Sequence, residues 1–183
     1  MLSLPGYSES PPQLSLVSDA GTYGNGSDDS ITIQVNGLPK PQGSKTFKGL
    51  SKSGRAILTE SSTGSRHWRQ DVKLDSKAQY QGPVIAGPVF LSIVFWMPRP
   101  KAHYRTGKFA GQLKPNAPMY APTSPDLDKL IRCTLDGLQA KCGGTVFEDD
   151  SQVVALVAEK RYVTATSTCG ATIHIVKKES NSQ

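Results

Sequence analysis

The chain has 183 residues, 37% of them hydrophobic, with a formal net charge of +6. That is one ordinary domain with room for a tail, large enough to bury a core without staples. The longest apolar stretch, Val89 to Met97, is interrupted by Ser92 and is far too short to span a bilayer, and the N-terminus lacks the positive start and apolar run of a signal peptide, so neither a membrane protein nor an exported one is expected.

Residues 1–30 are rich in Ser, Gly, Pro and Asp, lack periodicity, and hold four acids and no base. They read as a flexible leader to a domain spanning 31–183. The domain therefore keeps all 21 bases against 11 of the 15 acids, a net of +10, which suits an anionic partner, nucleic acid first. Ile31 to Val35 alternates like a half-buried strand, and Asn36-Gly37 supplies a turn. Lys40 to Arg55 carries five bases (Lys40, Lys45, Lys48, Lys52, Arg55) and no acid. Within and just beyond it, Thr46 to Leu50 and Ala56 to Thr59 would pair as a hairpin, either a DNA-contacting arm or a merely solvated one. Ser61 to Tyr80 opens on cap-like Ser61, Ser62 and Thr63 and ends at Gly82-Pro83, the pattern of a helix. Pro88 to Met97 is apolar on both faces and so reads as a central strand.

Pro98 to Pro125 contains Arg99, Lys101, Arg105, Lys108 and Lys114, no acid, His103, Tyr104, Phe109, Tyr120 and six prolines. A loop this long is uncommon unless it is functional or disordered. Bases interleaved with aromatics suit phosphate contact with base stacking, and a mobile solvated loop is the plainer alternative. Ser124-Pro125-Asp126-Leu127-Asp128 looks like a helix start with a serine cap and proline in the first turn. Leu127, Leu130, Ile131, Thr134, Leu135 and Leu138 then mark one buried face, while Asp128, Arg132 and Asp136 step along a polar stripe. Val153 to Thr164 and Ala171 to Val176 read as two strands, most simply an antiparallel hairpin. Three cysteines (Cys133, Cys142, Cys169) point to reduced thiols in a cytoplasmic protein, and Cys142, Cys169 and His174 lack the spacing of a zinc site.

The chemistry lies in two acidic clusters, Asp126-Leu127-Asp128 and Glu148-Asp149-Asp150. Carboxylates gathered this closely raise each other's pKa unless a cation sits between them, and a hard divalent ion is the usual answer. With a basic surround, the pattern reads as metal-dependent chemistry on a phosphodiester. Two positions on a regular helix differ by about 200°, so Asp126 and Asp128 share an ion only if Asp126 is still extended. Asp149 and Asp150, after Gly143-Gly144, would be carried beside that helix entrance by the return of the chain. The plainer reading is a surface ion pair of Asp128 with Arg132.

Pro125-Asp-Leu-Asp-Lys-Leu-Ile-Arg-Cys-Thr-Leu-Asp-Gly-Leu138, followed by Val146-Phe-Glu-Asp-Asp-Ser-Gln-Val153, resembles the signature of the RusA family of Holliday junction resolvases. Gly37 to Lys45, Thr59 to Ser62 with Trp68-Arg69, and Arg99 to Gly107 are similar to members from phages and prophages of actinobacteria. The resemblance implies an α+β fold with a mixed β-sheet and two principal helices, assembled as a homodimer. It implies a crossover junction endodeoxyribonuclease that resolves four-way DNA by paired symmetric nicks in recombination and repair, encoded by a phage or prophage and acting in the host cytoplasm. Asp126, Asp128 and Asp150 match the metal-binding aspartates, Asp149 their acidic neighbour, and Arg132 a position where lysine is frequent. Lys129 replaces a frequent asparagine and Gly137 a frequent alanine, changes expected to affect the helix surface. The cofactor implied is Mg²⁺, with Mn²⁺ as the alternative ion and no organic cofactor. Lys45, Lys48, Arg99, Lys101, His103, Arg105 and Lys108 are the expected DNA contacts. Three rivals stand beside this: a non-catalytic junction or single-stranded DNA binder, a metal nuclease of flaps or forks, and a structural cation site with no substrate.

Overall fold

A computed structural model describes residues 30–43, 45–60, 64–164 and 167–178. The expected leader lies outside these residues except for Ser30, as do Ser61, Ser62 and Thr63, and the side chain of Lys45 is not described either. The elements in chain order are β1 (Ser30–Asn36), β2 (Lys45–Leu50), β3 (Ala56–Glu60), α1 (Ser65–Gln79), β4 (Val89–Met97), α2 (Leu127–Leu138), β5 (Val153–Tyr162) and β6 (Gly170–Lys177). The fold is α+β, a mixed four-stranded sheet in the order β1-β6-β4-β5 with two helices, and β2 and β3 pair separately as the expected hairpin.

One expectation of topology fails. β5 and β6 are not a hairpin; the apolar β4 lies between them, antiparallel to β6 and parallel to β5. A parallel neighbour needs a crossover, and the long segment after β4 together with α2 is that crossover. β4 is central because both of its edges are paired, as its apolar character on both faces requires.

Alternation along β4 sends Leu91, Ile93 and Phe95 into the cluster that also holds Trp68 and Val72 of α1 and Leu130 of α2. The helices are joined inside that cluster. The Trp68 indole N–H donates to the Thr134 hydroxyl oxygen (3.0 Å), and that hydroxyl donates to the Leu130 carbonyl (2.9 Å), so the polar groups on both sides are satisfied where they are fully buried. Gly137 sits at the same crossing and is buried, contrary to the expectation that it belongs to the helix surface. A Cβ placed there would lie 2.7 Å from the Cβ of Val72 and 3.2 Å from the carbonyl oxygen of Arg69, so the helices approach through the missing side chain.

Gly137→Val should therefore destabilise the fold by about 1–3 kcal/mol, the usual cost of overpacking, read as a lower midpoint in chemical denaturation. An unchanged midpoint would contradict this helix contact.

Candidate functional site

Asp126 is the residue that precedes α2, with extended backbone (φ −65°, ψ 139°), as sharing a ligand with Asp128 requires. It also occupies the cap position in place of Ser124, yet its carboxylate makes no capping bond. The carboxylate pairs instead with the Lys129 ammonium, which holds its pKa below the ordinary carboxylate value while raising that of Lys129. Asp128 and Arg132 are exposed, and no ion pair joins them among the described residues. The entrance is anchored from below by Lys160 of β5, whose ammonium donates to the carbonyls of Thr123 (2.6 Å) and Pro125 (2.7 Å).

After α2 the chain turns back at once. Ala140 N–H donates to the Phe147 carbonyl (2.8 Å) and Val146 N–H to the Leu138 carbonyl (3.1 Å), with Gln139 and Phe147 bridged. Gly144 makes this turn possible: a Cβ there would lie 2.3 Å from the Leu138 carbonyl. Glu148, Asp149 and Asp150 follow. Asp149 closes a capping box on the 3₁₀ turn Asp150–Gln152, its carboxylate accepting from Ser151 N–H (2.9 Å) while its own N–H donates to the Gln152 side chain (2.9 Å). Its second oxygen pairs with Lys141. Lys141, then Ser151, hold the Asp149 carboxyl far below the usual range. Asp150 is exposed, and its N–H donates to the side-chain oxygen of Gln139 (3.4 Å).

Gln139 was not among the residues marked by sequence. It is buried, and its amide N–H₂ donates to Asp136 (3.2 Å), which in turn accepts from Arg69 of α1 (3.3 Å). A chain of polar contacts thus runs from α1 through α2 to the backbone of Asp150. The available signal was a glutamine standing where the apolar stripe of α2 ends.

These anchors set the two acidic clusters apart. From Asp126 to Gln139 the helix rises about 20 Å, and β5 climbs about 23 Å from Val153, beside Asp150, to Lys160, beside Pro125. Among the described residues no three His, Cys, Asp or Glu side chains gather closely enough to hold a metal ion. The expectation that the returning chain carries Asp149 and Asp150 to the helix entrance fails within one copy, because the Gln139–Phe147 bridge pins the return to the far end of α2. All four aspartates are hard oxygen donors suited to Mg²⁺ or Mn²⁺, but one copy presents them as two half-sets.

The basic segment 98–125 is organised rather than loose. It holds two 3₁₀ turns, Lys101–His103 and Gly107–Phe109, and Tyr104 bridges Leu113. Arg99 is turned to structural work, donating to the carbonyls of Val163 (2.9 Å) and Pro118 (2.8 Å) and lying 5.3 Å from the Tyr162 ring centroid. His103 packs edge-on against the same ring at 4.9 Å. Lys101 and Lys108 are exposed, as is Lys48 on β2. Arg105 stacks 3.8 Å from the Phe109 centroid and, with Lys114 and Asn116, lines a shallow cleft of ≈ 530 Å³ whose charge suits a phosphate backbone.

The family described as Endodeoxyribonuclease RusA matches residues 36–175, a span that includes both acidic clusters and the whole basic segment. The chain belongs to the RusA family. It is therefore an endodeoxyribonuclease by family, and the cation-rich cleft and exposed lysines lie on a protein whose family acts on DNA. A further relative, the Uncharacterized protein YqaN of Bacillus subtilis (strain 168), is 28% identical over 139 residues, covering 73% of this chain and 89% of that protein. No helix among the described residues is long and apolar enough to cross a membrane.

In this RusA-family protein Lys141→Met should move the Asp149 titration upward towards the ordinary carboxylate value, followed by carboxyl NMR. The sign follows from linkage: a depressed folded pKa gives stability that is present above the unfolded value and declines as pH falls. An Asp149 titration that Lys141→Met leaves in place would refute the pairing.

Proposed function

We propose that this protein is a Holliday junction resolvase, a Mg²⁺-dependent endonuclease that nicks four-way DNA symmetrically during recombination and repair. The observation that carries the reading is the family match across both acidic motifs, combined with an Asp126 held extended at the entrance to α2.

The half-sets of acids bear on how such an enzyme is assembled. A second copy related by a twofold axis, with its α2 antiparallel to the first, would bring Asp150 of the partner subunit towards Asp126 and Asp128. Two such sites in one dimer match a substrate cut on two strands and of near-twofold symmetry. The ion would be held by Asp126 and Asp128 of one copy with the partner's Asp150. When bound, Mg²⁺ lowers the pKa of water and shields charge on the leaving oxygen.

The chain's own residues do the rest. Asp149, with its oxygens engaged by Ser151 and Lys141, shapes the turn that presents Asp150. Gln139 fixes that turn to the end of α2. Arg132, exposed one turn beyond Asp128, contacts the scissile phosphate; a guanidinium keeps its charge at any working pH and so neutralises phosphate without donating a proton. Lys48, Lys101, Arg105 and Lys108 bind the arms of the junction through their phosphates.

A synthetic four-way junction, a flap and a plain duplex incubated at one salt concentration with and without Mg²⁺ test this. Paired nicks in the junction that need the ion are expected. Asp150→Asn should lower nicking by about 10³-fold, a loss of several kcal/mol of transition-state stabilisation, while junction binding and the circular dichroism spectrum persist. Binding without nicks at any enzyme concentration would refute nuclease action on junctions, and preferential cutting of the flap would overturn the choice of substrate.

A further inference from the structure

Among the described residues β2 and β3 form a ribbon of their own, paired with each other and with no strand of the four-stranded sheet. An isolated two-stranded hairpin is marginally stable in water unless it packs on something. Here none of the described side chains between Lys48 and Ala56 belongs to the hydrophobic core, and a Cβ built on Gly49 or Gly54 would meet no atom within 4 Å. The tip is nonetheless well formed. Ser51 N–H donates to the Arg55 carbonyl (2.7 Å), Gly54 N–H to the Ser51 carbonyl (2.9 Å), and the Ser51 hydroxyl oxygen accepts from Arg55 N–H (3.0 Å). The register passes from Phe47 opposite Leu58 to Gly49 opposite Ile57, so Lys48 is bulged, and a bulge adds twist to the ribbon.

The chemistry of the tip is one-sided. Lys48 to Arg55 holds three exposed cations (Lys48, Lys52, Arg55), no acid, and one large apolar side chain, Leu50, which is 65% exposed. A single exposed leucine is ordinary on a mixed surface, but this one ends a cationic ribbon with no core beneath it. The root of the hairpin is fixed beside the acids. Gln42 N–H donates to the Lys129 carbonyl (3.0 Å), one residue after Asp128, and the Cys133 thiol donates to the Ser65 carbonyl (3.4 Å) where α1 begins. Both feet are therefore tied to α2, and the six residues of β2 reach at most about 20 Å from its entrance.

We propose that the hairpin is an arm that enters branched DNA, its cations on the phosphates and Leu50 pressed between bases at the branch point. A two-stranded ribbon fits a DNA groove, and an apolar side chain inserted at a base step is a general means of unstacking it. Unstacking costs a few kcal/mol at an intact step and least where pairing is already interrupted, so a wedge of this kind favours a branch point over plain duplex. With its feet on α2, the arm holds the opened bases within reach of Asp126 and Asp128. The inference deepens the junction reading and rests on it for the identity of the DNA; the arm itself is argued from the free-standing ribbon, its charge and Leu50.

A four-way junction carrying 2-aminopurine at its branch point, bound in EDTA so that no strand is cut, tests it, because the probe brightens when its base unstacks. Fluorescence should rise when the full chain binds. It should rise as much with Leu50→Met, which keeps an apolar end, and stay at the level of the free junction with Leu50→Thr, which keeps strand propensity and removes the wedge. The circular dichroism spectra of all three should coincide. The double variant Lys52→Ala with Arg55→Ala should lower the slope of log affinity against log salt by about 2, the loss of two phosphate contacts. No rise with wild type, a full rise with Leu50→Thr, its loss with Leu50→Met, or an unchanged salt slope overturns the arm. A wild type that brightens the junction yet nicks no DNA when Mg²⁺ is supplied would overturn the nuclease reading and leave the arm standing, whereas junction nicking with no rise in fluorescence would do the reverse.

Discussion

After its last turn α2 gives way to a backbone bridge between Gln139 and Phe147, tightened by the near contact of Gly144 with Leu138, and the chain reverses within a few residues. That reversal places every downstream group. It puts Asp149 beside Lys141, Asp150 beside Gln139, and the start of β5 under the end of the helix, so that β5 runs back towards the entrance of α2 and brings Lys160 beneath it. A helix of twelve residues thus separates the two acidic motifs by its own length of about 18 Å. A Mg²⁺ ion accepts oxygen donors at about 2.0–2.1 Å, and no rotamer of an aspartate covers the difference.

Within one copy the lone carboxylates are held by local cations. Lys129 serves Asp126 and Lys141 serves Asp149, which answers the repulsion expected of clustered acids. Asp150 is different, since what fixes it is its backbone, through Gln139, Asp136 and Arg69, to the helix pair that Trp68 and Thr134 lock together. The helix crossing and the acidic turn are therefore one rigid unit, and side-chain freedom at Asp150 is left for a ligand or a neighbouring molecule.

Much of this was legible in the chain itself. Period-two alternation located β1, a run apolar on both faces located β4, period-3.6 spacing located α2, and the turn residues between Leu50 and Ala56 announced the hairpin, because each depends on neighbours in sequence. Partner choice between strands depends on topology, which is why β5 and β6 looked like a hairpin when β4 stands between them. The extended backbone at Asp126 followed from its place at a helix entrance, but the cap itself was misread as Ser124. Gly137 looked like a surface change, since only the approach of Val72 from α1 reveals its burial. The intramolecular partners of Arg99 and His103, namely Val163, Pro118 and Tyr162, are distant in sequence and so were not legible in it. Above all, which acids meet is a tertiary matter: spacing identified the donors, and the reversal after α2 decided their separation.

In the proposed resolvase the metal-binding carboxylates of each site come from two chains. Coexpression of Asp126→Asn with Asp150→Asn under different tags, followed by purification of the mixed dimer, tests it most directly. Each variant alone should be inactive on a four-way junction, and the mixed dimer should recover nicking at about half the wild-type number of sites, because one of its two sites regains Asp126, Asp128 and Asp150 together. A mixed dimer as inactive as its parents would contradict the account.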